Sequence, residues 1–321
     1  MRLVLASLLG MLAQGLEVGT WNVQNYLVGN RFENGRFRYQ YPMPEERKGR
    51  VRKLILETAP DILFLQEIGG GDFLRELQLD LRAVGMDYPH AFFGAPPGSR
   101  SGLAILSKIP PCQYIFHDPI PLGEGMGFLR RGVQEVAFRS GNTSFRFFHV
   151  HLKSRYSDDP DDPDSTRLRS LEITALAKFL EGILSTVGEE SALGLIGDFN
   201  TPLDSPLMEP LKRRWSPVPA EDPAGSPHTY FHRSGRAEVI DGLWVPRHRS
   251  HPRLPGRLLP LPTASPSDHR LALFFLNFNL PSPSYWQSNV NNEEDTGNLL
   301  DHGTDGGDGP GTERAESAGG I

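Results

Sequence analysis

The sequence predicts an α/β (α+β) fold in which two mixed β-sheets pack face to face and helices cover the outside. Three observations predict it: short apolar runs outnumber helical stretches, runs and helices follow one another irregularly, and polar residues repeatedly stand where a run ends. Such an order combines hairpin-like with crossover connections, which produces mixed sheets. A chain of 321 residues, 38% of them hydrophobic, is long for one domain but sufficient for a sizeable core.

The elements follow from the spacing of apolar residues. A first strand is predicted from Leu16 to Trp21, followed by a polar, aromatic loop from Tyr26 to Tyr41 and a helix that opens at Pro44. Gly49 weakens this helix by roughly 1 kcal/mol. The further predicted strands cover residues 61–66, 102–107, 133–139, 145–152, 192–197, 238–245 and 271–278.

Two more helices are predicted, at residues 73–84 and at 165–184. The second has the clearest pattern, because its apolar side chains fall on one stripe and Asp164 or Ser165 is suited to cap its N-terminus. The stripe consists of Leu168, Leu171, Ala175, Leu176, Phe179 and Ile183.

The first fifteen residues have the composition of a secretory signal peptide. Met1 and Arg2 precede an apolar stretch from Leu3 to Leu12, and small residues surround Gln14 at a plausible cleavage site. The alternative is a buried first strand or helix, but the strand from Leu16 leaves this stretch without a place. We therefore expect cleavage, a folded domain at 16–281, and a secreted or periplasmic protein.

Residues 282–321 are predicted to be a disordered acidic tail, because they are rich in Pro, Ser, Asn, Gly, Asp and Glu without periodicity. The chain has a formal net charge of -6. Residues 283–321 contain eight acids and one base, a net of -7, so the remainder carries +1. A near-neutral body neither demands nor excludes a polyanionic substrate.

The composition excludes two kinds of site and one class of protein. The single cysteine, Cys112, rules out an intrachain disulfide and a cysteine-based zinc site. No apolar stretch is long enough to span a bilayer, so we expect no stable membrane insertion. We also expect a monomer.

Acids, amides and imidazoles recur at the ends of the predicted strands, where active sites of α/β proteins tend to form. Burying an unpaired charge is expensive, so such groups are usually paired or bound to a metal. One of these acids alone is as readily a structural hydrogen-bonding group; the set is much harder to explain in that way. The set comprises Asn22, Glu67, Asp198, Asn200, Asp241, Asp268 and His269.

These residues lie in motifs that, in this order, resemble those of the endonuclease/exonuclease/phosphatase superfamily, which has the DNase I-like fold. The resemblance extends from about residue 16 to residue 277 and implies a four-layer α/β sandwich. The motifs are Thr20 to Asn25, Leu65 to Glu67, Ser101 to Lys108, His149 to Ser154, Gly197 to Thr201, Ile240-Asp241 and Ser267 to His269.

The resemblance implies a metal site built from three residues. Glu67 matches the principal metal-ligating carboxylate, Asn22 the amide that supports metal and phosphate, and Asp268 an acid near the metal. Oxygen ligands of this kind suit Mg²⁺ or Mn²⁺ rather than zinc.

The resemblance also implies catalytic roles. His269 matches the catalytic histidine and Asp241 the acid that orients it, while Asp198 and Asn200 match the pair that holds the attacking water and the phosphate. His151 matches the residue that contacts phosphate or protonates the leaving group. His149 shares its strand parity, so one of the two is a core residue; His151 is nearer the strand end.

One departure from the family concerns the partner of His151. Digestive nucleases of the family place a Glu just before the strand near Gly102, but Gly98 to Ser101 contains no acid. Lys153 and Arg155 follow His151 and are candidates for binding phosphate, or else belong to a solvated loop; the same alternatives hold for Arg130 and Arg131.

The resemblance implies a metal-dependent phosphodiesterase, and we expect a nuclease that acts on DNA or RNA. A lipid or small-molecule phosphoesterase is the alternative, since fold does not fix substrate. A basic stretch from Arg247 to Arg257 favours nucleic acid, whereas exposed apolar residues within Pro119 to Leu129 favour lipid. A catalytically silent binding module is a third reading, which the complete acid–imidazole set opposes.

Overall fold

The computed structural model describes residues 15–140, 143–188, 191–248, 256–260 and 265–276. All of them belong to the first of two units into which the chain divides, Met1–Ser282 and Pro283–Ile321. The predicted signal peptide, the predicted acidic tail and most of the basic stretch at 247–257 lie outside the described residues. These predictions therefore stay predictions.

Within the described ranges, strands account for most of the regular structure. The strands are β1 (Leu16–Tyr26), β2 (Gly29–Glu33), β3 (Arg36–Tyr41), β4 (Ile62–Ile68), β5 (His90–Gly94), β6 (Gly102–Ser107), β7 (Gln113–His117), β8 (Val133–Ser140), β9 (Thr143–His151), β10 (Ala192–Asp198), β11 (Trp215–Pro217), β12 (Ala220–Glu221), β13 (Tyr230–Phe231), β14 (Ala237–Glu238), β15 (Asp241–Pro246), β16 (Gly256–Leu258) and β17 (Ala272–Leu276). The helices are α1 (Glu45–Thr58), α2 (Gly71–Ala83), α3 (Thr166–Thr186) and α4 (Glu209–Lys212).

Two large mixed sheets form the centre of the domain, which confirms the predicted fold class. The first has the order β12-β16-β17-β1-β4-β6-β5 and the second the order β11-β15-β10-β9-β8-β7. Each contains one long parallel pair, β1 with β4 and β9 with β10, while most other neighbours are antiparallel. A helix, α1 or α3, lies between the two strands of each parallel pair in the sequence.

The layers can be read from the central strand β4, which is apolar on both faces. Leu63 and Leu65 pack with residues of α1 and α2 on the outer side. Phe64 points the other way and meets Phe147 of β9, with ring centroids 5.3 Å apart. Helix α3 packs on the outer face of the second sheet. Alternating side chains in a strand point to opposite faces, so β4 joins two apolar layers.

The segment from Tyr26 to Tyr41, predicted as a loop, contains a β-hairpin. Strands β2 and β3 pair with each other as a separate two-stranded sheet. All six residues of β3 are exposed. The prediction was wrong here because it looked for strands that bury apolar side chains, whereas the rings of this hairpin, Phe32, Phe37 and Tyr39, are exposed.

Helix α3 is confirmed, but its N-terminus is capped only in part as predicted. Ser165 has a positive φ of 54° and makes no side-chain cap bond. Asp164, the other predicted cap, accepts a hydrogen bond from the backbone N–H of Thr166 (3.2 Å). The carboxylate of Asp162 also accepts hydrogen bonds from the backbone N–H groups of Arg167 (3.1 Å) and Leu168 (3.2 Å). A carboxylate at a helix N-terminus satisfies free N–H groups and interacts favourably with the helix dipole.

Of the helices in the described ranges, none has the length and apolar character needed to cross a membrane.

Candidate active site

Strand ends from both sheets meet at one edge of the sandwich. Strands β1 and β4 run parallel, and their regular pairing extends to Asn22, next to Glu67. The residues just before β17 lie beside them. In the second sheet, Asp198 at the end of β10 is paired in register with both His151 of β9 and Asp241 of β15. The topology therefore gathers side chains that are far apart in sequence.

His269 and Asp241 form a buried acid–imidazole pair. The Nδ1 atom of His269 lies 3.0 and 2.9 Å from the two carboxylate oxygens of Asp241, which leaves Nε2 facing the site. Burial alone would lower the pKa of His269, but the charges of Asp241 and Asp198 outweigh it and raise this pKa to about 10. The imidazole is therefore a cation at neutral pH.

Asp198 occupies the centre of the cluster and is fully buried. Its carboxylate accepts hydrogen bonds from Asn22 Nδ2 (3.0 Å) and from the backbone N–H of Asn200 (2.8 Å). His151 Nε2 lies 3.4 Å and His269 Nε2 4.0 Å from Asp198 Oδ2. Burial, together with the negative charge of Asp241, raises the pKa of Asp198 despite these partners.

Glu67 stands at the more open side of the cluster, with its side chain 22% exposed. Its Oε1 accepts a hydrogen bond from Asn22 Nδ2 (3.1 Å) and its Oε2 one from the backbone N–H of Asn25 (2.8 Å). Glu67 also has a positive φ of 67°. Non-glycine residues in this conformation are strained, and such strain is typical of functional sites.

Asn22 bridges the two sheets through its amide nitrogen. Nδ2 donates to Glu67 on the first sheet and to Asp198 on the second, while Oδ1 accepts from the backbone N–H of Gln24 (2.9 Å). In this orientation Asn22 holds two carboxylates in place, and its Oδ1 already accepts one backbone hydrogen bond. Metal ligation by Asn22 stays a prediction.

Asp268 is 30% exposed and lies with Oδ1 3.9 Å from His269 Nε2. Burial raises its pKa and the charge of Glu67 adds to this effect, so the two acids are near neighbours. The carboxyl groups of four acids surround one imidazolium; they belong to Glu67, Asp198, Asp241 and Asp268. The site therefore has an excess of negative charge that a divalent cation would neutralise, and its oxygen donors suit Mg²⁺ or Mn²⁺.

A second set of possible ligands lies deeper. Asp198, Asp241 and His269 each have a ligand atom within 4.8 Å of the others, and all three residues are buried. The imidazolium already compensates charge there, because Nδ1 is bound by Asp241. The Glu67–Asp268 side is more open and has less compensation, so it fits a hydrated cation better.

The two histidines of β9 have different surroundings. His149 is enclosed between the sheets, with Nδ1 2.9 Å from Gln134 Oε1 and Nε2 2.6 Å from Gln66 Nε2. Burial lowers the pKa of His149 to about 3. His151 is the one that lies beside Asp198. Burial, followed by the charge of Arg131, also lowers the pKa of His151 well below its usual value, so it is neutral.

Lys153 and Arg155 are already engaged by other groups. The Lys153 ammonium donates to the carbonyls of Ser154 (2.8 Å) and Tyr156. The Arg155 guanidinium forms two 2.7 Å hydrogen bonds with the carboxylate of Glu238. The structure does not bring either cation into contact with the acid cluster, and their predicted role in substrate binding stays a prediction.

Three charged residues that sequence reasoning missed hold the site loops. Glu172 of α3 is 1% exposed, and its carboxylate accepts from the backbone N–H of Arg130 (3.1 Å) and of Lys153 (2.6 Å). Arg169, one turn earlier, donates to the carbonyl of Asn200 (3.2 Å) and to Thr201 Oγ1 (2.9 Å). Both therefore position the loops that follow β9 and β10.

The third is Arg47 of α1, which ties together two loops of the first sheet. Its Nε donates to the carbonyl of Pro266 (2.6 Å), and its Nη2 to the carbonyl (2.9 Å) and side-chain oxygen (2.6 Å) of Gln24. The signal in the sequence is weak, since Arg47 lies among other charged residues. For Arg169 and Glu172 the signal was stronger: they lie one helical turn apart on a helix whose inner face is otherwise apolar.

Comparison with known proteins identifies the chain's relatives. The family model described as "Endonuclease/Exonuclease/phosphatase family" matches residues 19–269. Among curated proteins, no sequence matches significantly.

Solved structures of the same fold include the human Nocturnin catalytic domain with bound sulfate, sphingomyelinase C from Streptomyces griseocarneus, and truncated TDP2 from Caenorhabditis elegans. Their sequence identities are 20%, 14% and 16%, with TM-scores of 0.57, 0.58 and 0.56. The alignments cover 81%, 82% and 82% of this chain and 93%, 100% and 98% of the respective structures. At these identities the likeness shows the fold alone.

Proposed function

Because the chain belongs to the endonuclease/exonuclease/phosphatase family, we propose that it is a divalent-metal-dependent phosphodiesterase whose substrate is nucleic acid. The observation that carries the proposal is the convergence of Asp198, Asp241 and His269 from three strand ends into one buried cluster. A phosphodiester is a suitable substrate, since its hydrolysis needs an oriented water and positive charge at the non-bridging oxygens.

Glu67 and Asp268 would hold the cation, with Asn22 keeping Glu67 in position. When bound there, Mg²⁺ or Mn²⁺ supplies Lewis-acid charge neutralisation at a phosphate oxygen. Asn25 contributes through its backbone N–H, which fixes Glu67 Oε2 at 2.8 Å.

Asp198 is the proposed acceptor of the proton from the attacking water. Its carboxylate is buried, and burial raises its pKa, so it is a stronger base than an exposed aspartate. The backbone N–H of Asn200 fixes Oδ1 at 2.8 Å, and Asn200 Nδ2 lies 3.3 Å from Oδ2. Asn200 thus orients the carboxylate and presents an amide beside the place where water would attack.

His269 acts as a cation rather than as a base in this scheme. Asp241 holds Nδ1, and the raised pKa of His269 keeps Nε2 protonated, so Nε2–H can donate to a non-bridging phosphate oxygen. Negative charge increases on that oxygen in the transition state, and a fixed donor in a dry site stabilises it. Neutral His151 supplies a second donor or assists the leaving group.

Two arginines near the cluster support a polyanionic substrate. Arg131 donates to the carbonyl of Leu152 (3.0 Å), and its charge acts on His151. Arg31 donates to the carbonyl of Leu27 (2.7 Å), close to the loop that carries Asn25. Cations near such a cluster attract a phosphate backbone.

A lipid phosphodiesterase is the second candidate, and one observation favours it. Met126 is 60%, Phe128 57% and Tyr156 74% exposed, and a cavity of about 610 Å³ is lined by Met126, Tyr156, Arg130 and Lys153. Exposed apolar side chains around a cavity are a feature of enzymes that work at a lipid surface.

The test is hydrolysis by the purified chain of plasmid DNA, a structured RNA and sphingomyelin vesicles, each with Mg²⁺, Mn²⁺ or EDTA. We expect cleavage of DNA or RNA that EDTA abolishes. The His269→Ala variant should lose this cleavage, whereas the control His90→Ala, on the edge strand β5, should retain it. Hydrolysis of sphingomyelin alone would move the substrate to lipid, and equal activity of both variants would refute the catalytic assignment.

A further inference from the structure

Apart from Arg31, the hairpin of β2 and β3 has no part in the proposed chemistry. It pairs only within itself, and its register places Phe32 opposite Phe37 and Arg31 opposite Arg38. Residues directly opposite in an antiparallel pair share a face, and successive residues alternate between faces. The hairpin therefore has two chemically different faces.

One face is aromatic and open to solvent. Phe32 is 70%, Phe37 54% and Tyr39 77% exposed. The rings of Phe37 and Tyr39 meet edge to face, with centroids 4.8 Å apart at 80°. Exposed aromatic groups of this extent on a protein surface mark a binding site more often than chance.

The opposite face is cationic. Arg31 and Arg38 are paired on it, and Arg36 is paired with Glu33, so three guanidinium groups face one carboxylate. The guanidinium of Arg38 lies 5.4 Å from the ring centroid of Tyr41. The hairpin thus combines planar rings and arginines within thirteen residues, Gly29 to Tyr41.

The hairpin is continuous with the candidate active site. Arg31 Nη2 donates to the carbonyls of Leu27 (2.7 Å) and Asn25 (3.3 Å). The backbone N–H of the same Asn25 donates to Glu67 Oε2. Asn25 therefore links Arg31 of the hairpin to Glu67, the carboxylate at the proposed cation site. A ligand on the hairpin lies next to that site.

We propose that this hairpin binds single-stranded nucleic acid, with unpaired bases stacked on Phe32, Phe37 and Tyr39 and the arginines of the opposite face attracting the strand by their charge. The inference rests on the proposed function and adds to it a substrate class: a strand whose bases are accessible next to the scissile phosphate. Rings can stack on bases only where the bases are free of a partner, so a duplex cannot use this surface in the same way.

The composition of the hairpin argues against a lipid surface as the ligand. A hairpin that inserts its tip into a membrane carries apolar residues, aromatic or aliphatic, at that tip. Here the turn is Asn34-Gly35, flanked by Glu33 and Arg36, and the segment from Gly29 to Tyr41 contains no Leu, Ile, Val or Met. The part that projects furthest is polar and charged, whereas the rings lie along the strands, as a base-stacking surface requires.

The experiment measures binding of fluorescent 12-nucleotide DNA and RNA strands, and of the matching DNA duplex, by fluorescence anisotropy. The full chain carries Asp198→Asn, so that Mg²⁺ can be present without cleavage. Hairpin variants are Phe37→Leu and Tyr39→Leu, which remove a ring but keep an apolar side chain, and Tyr39→Phe, which keeps the ring. The control is Leu79→Ala, at an exposed position of helix α2.

We expect each Leu variant to bind single strands about tenfold more weakly. Tyr39→Phe and Leu79→Ala should bind like the parent, and the parent should prefer the single strand to the duplex. Equal affinity of parent and Leu variants would overturn the inference. The inference would also fail if the parent and both Leu variants bound phosphatidylcholine–phosphatidylglycerol vesicles equally well but bound no single strand, since a lipid surface accepts leucine in place of a ring.

The proposed function is judged separately by cleavage with the chain that has Asp198 intact. Metal-dependent cleavage of a strand, combined with unchanged affinity in the Leu variants, refutes the hairpin inference alone. Absence of any cleavage, combined with ring-dependent strand binding, refutes the proposed function and leaves the hairpin site standing.

Discussion

The two sheets deliver their site residues by the same topological device but into different surroundings. In each, a parallel pair of strands with an intervening helix ends in polar side chains at the shared edge. From the first sheet come Glu67 and Asp268, whose side chains are 22% and 30% exposed. From the second come Asp198 and Asp241, whose side chains are 0% exposed, and His151 at 2%.

This difference shows how one fold separates two kinds of chemistry. A partly exposed carboxylate can bind a hydrated cation and exchange it, which suits the first sheet. Asp198 of the second sheet is buried, which raises its pKa and fixes the orientation of its carboxylate. Both properties suit proton transfer. Asn22 joins the two halves by donating to an acid on each.

The largest effect is expected from Asp198→Asn, which breaks the buried half. The asparagine preserves the shape but cannot accept a proton, so kcat should fall about a thousandfold to ten-thousandfold. The ionised form of Asp198 destabilises the fold, as its raised pKa indicates, so the thermal midpoint at pH 8 should not fall. Hydrolysis of bis(p-nitrophenyl) phosphate and a melting curve measure both; exposed Asp204→Asn is the control.

Asp241→Asn should have the next largest effect and should move the pH profile. Asp241 raises the pKa of His269, so the cationic form persists in the parent until the pH rises towards about 10. Without that charge the cation is lost at lower pH. We expect kcat/KM to fall about a hundredfold and its alkaline limb to shift towards neutral pH. An alkaline limb in the same place would contradict the cationic role of His269.

Glu67→Gln tests the open half and should give a different signature. Loss of a carboxylate ligand weakens cation binding, so the Mg²⁺ concentration for half-maximal activity should rise about tenfold to a hundredfold. Excess Mg²⁺ should restore part of the activity, whereas it should restore none in Asp198→Asn. If metal rescued both variants or neither, the division between the two sheets would fail.

The smallest effect is expected from Arg155→Gln, just beyond the buried half. The Arg155 guanidinium is held by Glu238, and this partly exposed ion pair contributes about 1 kcal/mol to stability. The substitution removes that contribution. We expect a thermal midpoint a few degrees lower and a KM within about threefold of the parent. A tenfold rise in KM for DNA would show that Arg155 leaves Glu238 to contact phosphate.

Sequence reasoning selected residues that the structure brings together, because strand ends are marked by an apolar run and then an acid, an amide or an imidazole; their catalytic roles stay predictions. It also predicted which histidine of β9 would lie nearer the strand end. The pKa directions were out of reach, because they depend on which groups surround Asp198 and His269 in space. The supporting residues Arg47, Arg169 and Glu172 were missed for the same reason: each acts on loops distant in sequence.

The missed hairpin is a different case, because the signal was present. Asn34-Gly35 between alternating aromatic residues is a strong hairpin pattern. The segment alternates rings with arginines and has no residue suited to the core, so its pattern does not predict a half-buried strand. Likewise the stripe predicted on α3 was rotated: the most buried positions include Arg169, Glu172 and Leu180, whereas Leu168 and Leu171 are only partly buried.

The contacts between the two ends of the domain have a consequence for when the protein first becomes active. Ser267 Oγ donates to the carbonyl of Asn22, and Trp21 Nε1 donates to the carbonyl of His269, across almost the whole length of the domain. A nascent chain whose first two hundred residues have left the ribosome already contains Glu67, His151 and Asp198, but has neither Asp241 nor His269. Under the proposed function, a chain of that length therefore lacks both His269 and the acid that holds it, so phosphodiester hydrolysis begins only after the residues just before β17 have been made.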